Sequence, residues 1–197
     1  MTLTLLLALP LVGAILVALN KNSASELTKK IAFAASLLPL LGTILLALNF
    51  EIDRPGYQFV DKFSWIPSLG INFQLGVDGI SFVLIALSTF LVPVVILAGW
   101  NESEGGRFSV KTFYILILIL EAMMIGVFAA TDLFLFYIFF EAMLVPVYFL
   151  IGGYGTGERR AAAVKFLLYS LFGGLLMLAA IIGLYVIAGN QIGSTFD

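Results

Sequence analysis

Six times along this chain the sequence runs for about twenty residues with scarcely a charge, and that recurrence decides what it can fold into. The runs lie at about 2–19, 31–50, 79–100, 112–130, 132–151 and 161–188. A helix rises about 1.5 Å per residue, so about 20 residues cross the roughly 30 Å of bilayer hydrocarbon. Inside lipid each backbone N–H and C=O must be satisfied within its own segment, which leaves helices for runs of this length. The sequence therefore predicts an all-α membrane protein with six transmembrane helices. Composition agrees: of 197 residues 61% are hydrophobic and 11% charged, with mean hydropathy +1.11. A soluble domain carries about a quarter charged residues. The first run opens MTLTLLLALP with no Lys or Arg ahead of it. It lacks the basic n-region of a signal peptide and reads as a retained span.

The connections are short or polar, with one exception. NKNSASELTKK, NESEGGRFSVK and GGYGTGERR join spans one to two, three to four and five to six, while Ala130, Thr131 and Asp132 alone join four to five. Between spans two and three lies EIDRPGYQFVDKFSWIPSLGINFQLGVDG. QFVDKFSWI and INFQL alternate apolar with polar residues, and PSLG between them supplies turn chemistry, so this loop reads as a β-hairpin at the membrane surface. Trp65 and Phe63 suit the interface. The chain divides into a two-helix segment (1–50), an extramembrane hairpin loop (51–78) and a third part carrying spans three to six (79–197).

Orientation follows from the basic residues. Lys21, Lys29, Lys30, Arg107, Lys111, Arg159 and Arg160 fall on one side, and only Arg54 and Lys62 on the other. Positive loops stay inside, so the N-terminus, the hairpin and the last residues are expected outside. A net charge of −2 predicts no nucleic-acid surface. Without Cys or His, the chain lacks the usual ligands of zinc, iron–sulfur clusters and haem, and no metal, redox or cofactor site is expected in it. GGYGTGERR looks superficially like a phosphate loop, but it has no GK[ST] ending and follows no strand.

Three ionisable residues lie at hydrocarbon depth: Glu121, Glu141 and Lys165. A central charge costs roughly 2.5–3.5 kcal/mol on insertion scales. A carboxyl can meet that cost by taking up a proton, which is the property a proton relay needs. Glu121 and Glu141 stand ten residues before and after Thr131, so both sit about 15 Å below the hairpin side, at one level near the midplane. Their facing is not fixed by spacing. Lys165 enters by only about 8 Å beyond Arg160, and its stem can snorkel to water or reach inward. Tyr137 and Tyr148 share a helical stripe with Glu141, and their hydroxyls are candidate relay support. Pro146 removes an N–H and leaves the Ala142 carbonyl without its helical donor. Tyr169 stands one turn from Lys165, with Gly173 and Gly174 beyond, where another helix can approach closely. The structural alternative for each acid is a hydrogen-bonding tie between helices; for the tyrosines it is packing.

The run GVFAATDLFLFYIFFEAMLVPVYFLIGGYG, followed by RRAAAVKFLLYSLFGGLLML, resembles the antiporter-like subunits of respiratory complex I (NADH:quinone oxidoreductase), of the subunit M or mitochondrial chain 4 type. FSWIPSLGINFQLGVDGIS is similar to the same subunits. The resemblance implies a proton-translocating membrane-arm subunit with no redox centre of its own, in a respiratory chain whose FMN, iron–sulfur clusters and quinone sit in other subunits. Glu141 matches the family's buried glutamate of the fifth span, which modulates a lysine on a broken seventh helix. Lys165 matches a lysine of the sixth span, and Glu121 more loosely an acid of the fourth. The implied partners are other membrane-arm subunits, including neighbouring antiporter-like ones, and the lipid bilayer. The implied location is the bacterial inner membrane or an equivalent energy-transducing membrane. Members have about fourteen spans in two inverted five-helix repeats. The residues here correspond to the N-terminal portion, including the start of the first repeat, and are not expected to be catalytic or to pump alone. Two other readings stand beside this one: a membrane subunit of a multisubunit cation/proton antiporter, and a structural scaffold with no transport of its own.

Overall fold

A computed structural model of the chain describes residues 1–20, 25–101 and 106–191. Six helices, each long and apolar enough to cross a membrane, form the body: α1 (Thr2–Leu19), α2 (Ser25–Ala47), α3 (Gly79–Ala98), α4 (Val110–Ala129), α5 (Leu133–Tyr154) and α6 (Arg159–Gln191). The chain is an integral membrane protein. Between α2 and α3, β1 (Gln58–Ile66) and β2 (Ile71–Val77) pair antiparallel as the alternation predicts. Pro67–Leu69 makes one 3₁₀ turn between them, closed by Gly70 in the left-handed conformation (φ 69°). The second span starts earlier than its apolar run, at Ser25, because Glu26, Lys29 and Lys30 ride on the first turns of α2.

The starts of α3, α4 and α5 carry side-chain caps that satisfy orphan N–H groups. Asp78 and Ser81 form a reciprocal capping box at α3, Ser109 accepts from the Thr112 amide at α4, and Asp132 accepts from the Phe134 and Leu135 amides at α5. Asp132 also accepts from the Asn72 amide through its other oxygen (3.0 Å), fastening β2 to the tip of the α4–α5 hairpin. A second tie joins the Thr131 amide to the Gln74 carbonyl at 3.0 Å. On the far strand, buried Asp61 accepts from the Thr4 amide (2.9 Å) and hydroxyl (2.8 Å) and pairs with the chain's amino terminus. The hairpin thus lies across one end of the bundle, with β2 pressed on the helices and Phe63 and Trp65 exposed on β1.

α4 is the central helix. It packs most extensively against α1 and α5 and also touches α2 and α3. Two apolar clusters divide the interior. One joins Leu3, Leu6 and Leu7 of α1 to Leu75, Ile125 and Phe139 near the hairpin. The other joins Ala14, Val17, Ala32, Ala35 and Ile96 to Tyr114 and Leu118 towards the opposite end. Gly126 is required where α4 meets α5, since a Cβ there would enter the ring of Phe139.

The basic residues group as the sequence predicts. Lys29, Lys30, Lys111, Arg159 and Arg160 lie on α2, α4 and α6 at one end of the bundle, with Arg107 just before α4. Lys21 and the last residues, 192–197, lie outside the described residues. Lys29 is not a solvated loop charge, however. It is fully buried, with Nζ 3.3 Å from Glu26 Oε1, 3.5 Å from Asn101 Oδ1 and 5.8 Å from the centre of the Trp100 ring.

Candidate functional site

Glu141 sits eight residues into α5 from Leu133, and Glu121 eight residues back from the α4 end at Ala129. Both are therefore about 12 Å below the hairpin end of the bundle. The common level expected from spacing is present. The facing is different for each.

Glu121 is fully buried on the stripe of α4 that carries Tyr114, Ile117, Leu118, Ala122 and Ile125. That stripe meets α1, α2 and α3 through the two apolar clusters, and Glu121 falls between them. Neither of its carboxyl oxygens has a hydrogen-bond partner among the described residues. Gly126, which marks the α5-facing side of α4, is five residues on, a rotation of about 140° from Glu121.

Glu141 turns the other way. Phe139 marks the side of α5 that meets α4, and two residues further the helix has rotated by about 200°. The Glu141 carboxyl consequently lies against α6, where a Cβ added at Gly174 would occupy its space. The close approach that the glycine pair suggested is made at Gly174 by a side chain of α5. Gly173 has nothing within 4 Å of an added Cβ. Oε1 of Glu141 is buried with no hydrogen-bond partner among the described residues. Tyr137, one turn earlier, packs on the same α6 side with Met177, Ile181 and Tyr185. Tyr148 lies seven residues beyond Glu141, half-buried beside Phe149, ring centres 5.3 Å apart. Pro146 is buried between them within α5.

Lys165 stays apart from this group. It is exposed, and nine residues separate it from Gly174, half a turn of offset, so it leaves α6 on the side away from α5. Tyr169, on that same outward side, is 79% exposed. The structure thus brings together Glu141, Tyr137 and Gly174, and leaves Glu121 and Lys165 each on its own. Sequence reasoning missed Asp61, Asp132 and Lys29. The first two carry a legible cue, an acid at a strand or helix boundary, but their partners are distant in the chain. No group of three or more Asp, Glu, His or Cys that could hold a metal ion occurs among the described residues.

A bundle of six membrane-spanning helices capped by a short antiparallel hairpin, with single acids at mid-depth, is the fold, and its match to a chain of respiratory complex I places it in the class of antiporter-like subunit folds. Comparison with known proteins gives the particular family. The sequence model described as "NADH-ubiquinone oxidoreductase chain 4, amino terminus" matches residues 4–127, and the chain belongs to that family. Residues 130–195 match a second, described as "NADH:quinone oxidoreductase/Mrp antiporter, TM". NADH-quinone oxidoreductase subunit M of Mycobacterium tuberculosis (strain CDC 1551 / Oshkosh) is 43% identical, over 99% of this chain and 40% of its own length. NADH-ubiquinone oxidoreductase chain 4 of Arabidopsis thaliana is 41% identical, over 90% of this chain and 35% of its own. Among solved structures, a chain of respiratory complex I from Thermus thermophilus with bound NADH matches with TM-score 0.81 and 30% identity, over 100% of this chain and 38% of that one. A chain of the Mrp complex from Dietzia sp. DQ12-45-1b has TM-score 0.78 at 22% identity, covering 99% of this chain and 20% of its own, and shares the fold. The chain thus spans about 40% of the length of the relatives it matches.

Proposed function

We propose that this chain is the N-terminal part of a proton-translocating membrane-arm subunit of an NADH:quinone oxidoreductase, and that Glu141 exchanges a proton during turnover. The observation that carries the reading is the seat of Glu141: an acid at mid-depth, against the backbone of a neighbouring helix, with a buried oxygen free of hydrogen bonds among the described residues. A group meant only to tie two helices would hydrogen-bond across them, because an unpaired polar atom in a low-dielectric interior costs about 1–3 kcal/mol. Glu121 is a second acid on the same level. Lys165, with Tyr169 beside it, presents its charge away from α5, towards whatever covers the outer side of α6. Tyr137 is the relay-supporting hydroxyl nearest the acid on α5, while Tyr148 and Pro146 extend the same helix towards the basic end.

In this reading the FMN, iron–sulfur clusters and quinone are held by other subunits, and the partners are membrane-arm neighbours in a bacterial inner or equivalent energy-transducing membrane. The basic end of the bundle faces the cytoplasm or its equivalent, and the N-terminus and hairpin face the other side, as positive-inside placement requires. Replacing Glu141 with Gln in the assembled complex tests it. The expected result is a strong loss of proton pumping coupled to NADH oxidation. Unchanged proton-to-electron ratio and turnover would overturn the proposal. The description matched by residues 130–195 also names the Mrp antiporter, which favours a second reading as a subunit of a cation/proton antiporter. Purification with or without flavin and iron–sulfur subunits separates the two.

A further inference from the structure

At the basic end of the bundle a cleft of about 240 Å³ opens between α5 and α6, lined by Arg107, Phe108, Tyr148, Phe149, Arg160 and the small residues beside them. Its composition is graded with depth. Arg107 and Arg160 stand at the rim, just before α4 and in the first turn of α6. Tyr148 lies six residues inward from the α5 end at Tyr154, about 9 Å deeper. Gly152 and Gly153 leave the α5 wall without side chains. No acidic side chain lines the cleft.

The two rim arginines are available, and a third is not. Arg159 Nη1 donates to the Gly153 and Gly155 carbonyls, both at 3.3 Å, and so closes the C-terminus of α5. Arg107 has its backbone amide on the Gly153 carbonyl at 2.8 Å, which holds the loop onto α5 while the guanidinium lies 5.6 Å over the Phe108 ring. Arg160 is exposed and is in none of the ion pairs among the described residues. A planar guanidinium recognises a phosphate through paired N–H donors, and two of them at one rim match a single phosphodiester. The aromatic wall below matches glycerol and the first methylenes of an acyl chain. Basic pockets between transmembrane helices at the inner boundary take anionic head groups.

We infer that this cleft binds one anionic phospholipid, with the phosphodiester between Arg107 and Arg160 and the acyl chains running down past Phe108 and Tyr148. The inference stands apart from the transport reading, since it uses none of its residues except Tyr148, as a wall. Native mass spectrometry of the detergent-purified chain, titrated with phosphatidylglycerol or phosphatidylcholine, reads the binding directly. One arginine near the membrane surface contributes about fivefold in affinity, so Arg107→Gln with Arg160→Gln should weaken phosphatidylglycerol binding about 30-fold. Lys30→Gln, an exposed charge at the same end, should leave it unchanged. The paired Arg→Lys variant keeps the charge but loses the paired donors, so its preference over phosphatidylcholine should fall between those of the parent and the Gln pair, which shows that the loss is not misfolding. Equal binding of the two lipids by the parent chain, unchanged binding in the Gln pair, or equal loss in the Lys and Gln pairs would each overturn the assignment. So would displacement of the lipid by millimolar inorganic phosphate, which would make the cleft a site for a free anion.

Discussion

Replacing Gly174 with Ala tests the contact on which the Glu141 site rests. The new methyl would fall where the Glu141 carboxyl lies, so either that side chain leaves its rotamer or α5 and α6 move apart. Adding a methyl to a packed contact costs about 1–3 kcal/mol. At about 1.4 kcal/mol per tenfold, the native seating becomes disfavoured by about 5- to 150-fold. Gly173→Ala is the matched control on the adjacent residue, because an added Cβ there meets nothing within 4 Å. Two measurements on the purified chain, the first in mixed micelles and the second in lipid nanodiscs, check the reasoning. One is the unfolding free energy by detergent titration. The other is the infrared carboxyl band of Glu141, assigned by its disappearance in Glu141→Gln. Gly174→Ala should shift the band and lower stability by about 1–3 kcal/mol, while Gly173→Ala does neither. If the two alanine variants behave alike in both measurements, the carboxyl is not seated on the α6 backbone at Gly174 and the construction of the site fails.

The hairpin contact makes a pH-dependent prediction. Burial alone would raise the pKa of the Asp61 carboxyl, but the amino terminus and the Thr4 hydrogen bonds outweigh it and hold the group below the usual carboxylate range. A carboxyl lowered on folding stabilises the folded state above its unfolded pKa of about 3.9, and that contribution is lost as pH falls through its folded value. Asp61→Asn should therefore unfold at a lower temperature than the parent at pH 7, with the gap narrowing as pH drops below about 4; a gap that stays constant from pH 7 to pH 3 would show that Asp61 carries no such linkage. At the other end, Lys29→Ala should cost about 1–3 kcal/mol, since it strips a buried charge from Glu26, Asn101 and the Trp100 face. Lys30→Ala, one residue on but exposed, should stay within about 0.5 kcal/mol, and equal effects on unfolding free energy would refute the distinction.

The spans and the hairpin were legible because their signals are one-dimensional. Run length fixes crossing, and a period of two marks strands, so QFVDKFSWI coincides with β1, and PSLG with the 3₁₀ turn and Gly70. Depth was legible for the same reason, since the rise along a helix is constant and Glu121 and Glu141 are equally far from Thr131. Azimuth was not. Spans such as α5 are apolar on every side, so no polar face tells which side meets which neighbour, and the separation of Glu121 from Glu141 appears only once α1 and α6 are placed. Lys29 was hidden by the opposite problem: a Lys near the end of a span looks like any other loop charge until Glu26, Asn101 and Trp100 enclose it.

That azimuthal separation constrains any proton path through this part of the molecule. Direct transfer between two carboxyls needs heavy atoms about 2.6–3.2 Å apart, or one bridging water. Glu121 points towards α1 and α2, Glu141 towards α6, and the contact between their helices is filled by Phe139 lying on Gly126. Equal depth therefore does not make the two acids a dyad. The Glu141 carboxyl lies on the Gly174 backbone, with Tyr137 packed on the same side, so on the proposed proton exchange α6, not α4, is the first surface a released proton would encounter. Lys165 is the basic group furthest along that helix, beyond Arg159 and Arg160, but it lies half a turn away on the outer side of α6. On the proposal that Glu141 exchanges a proton, Gly173, with nothing within 4 Å of an added Cβ, is the place at that level where α6 leaves room for another group to approach.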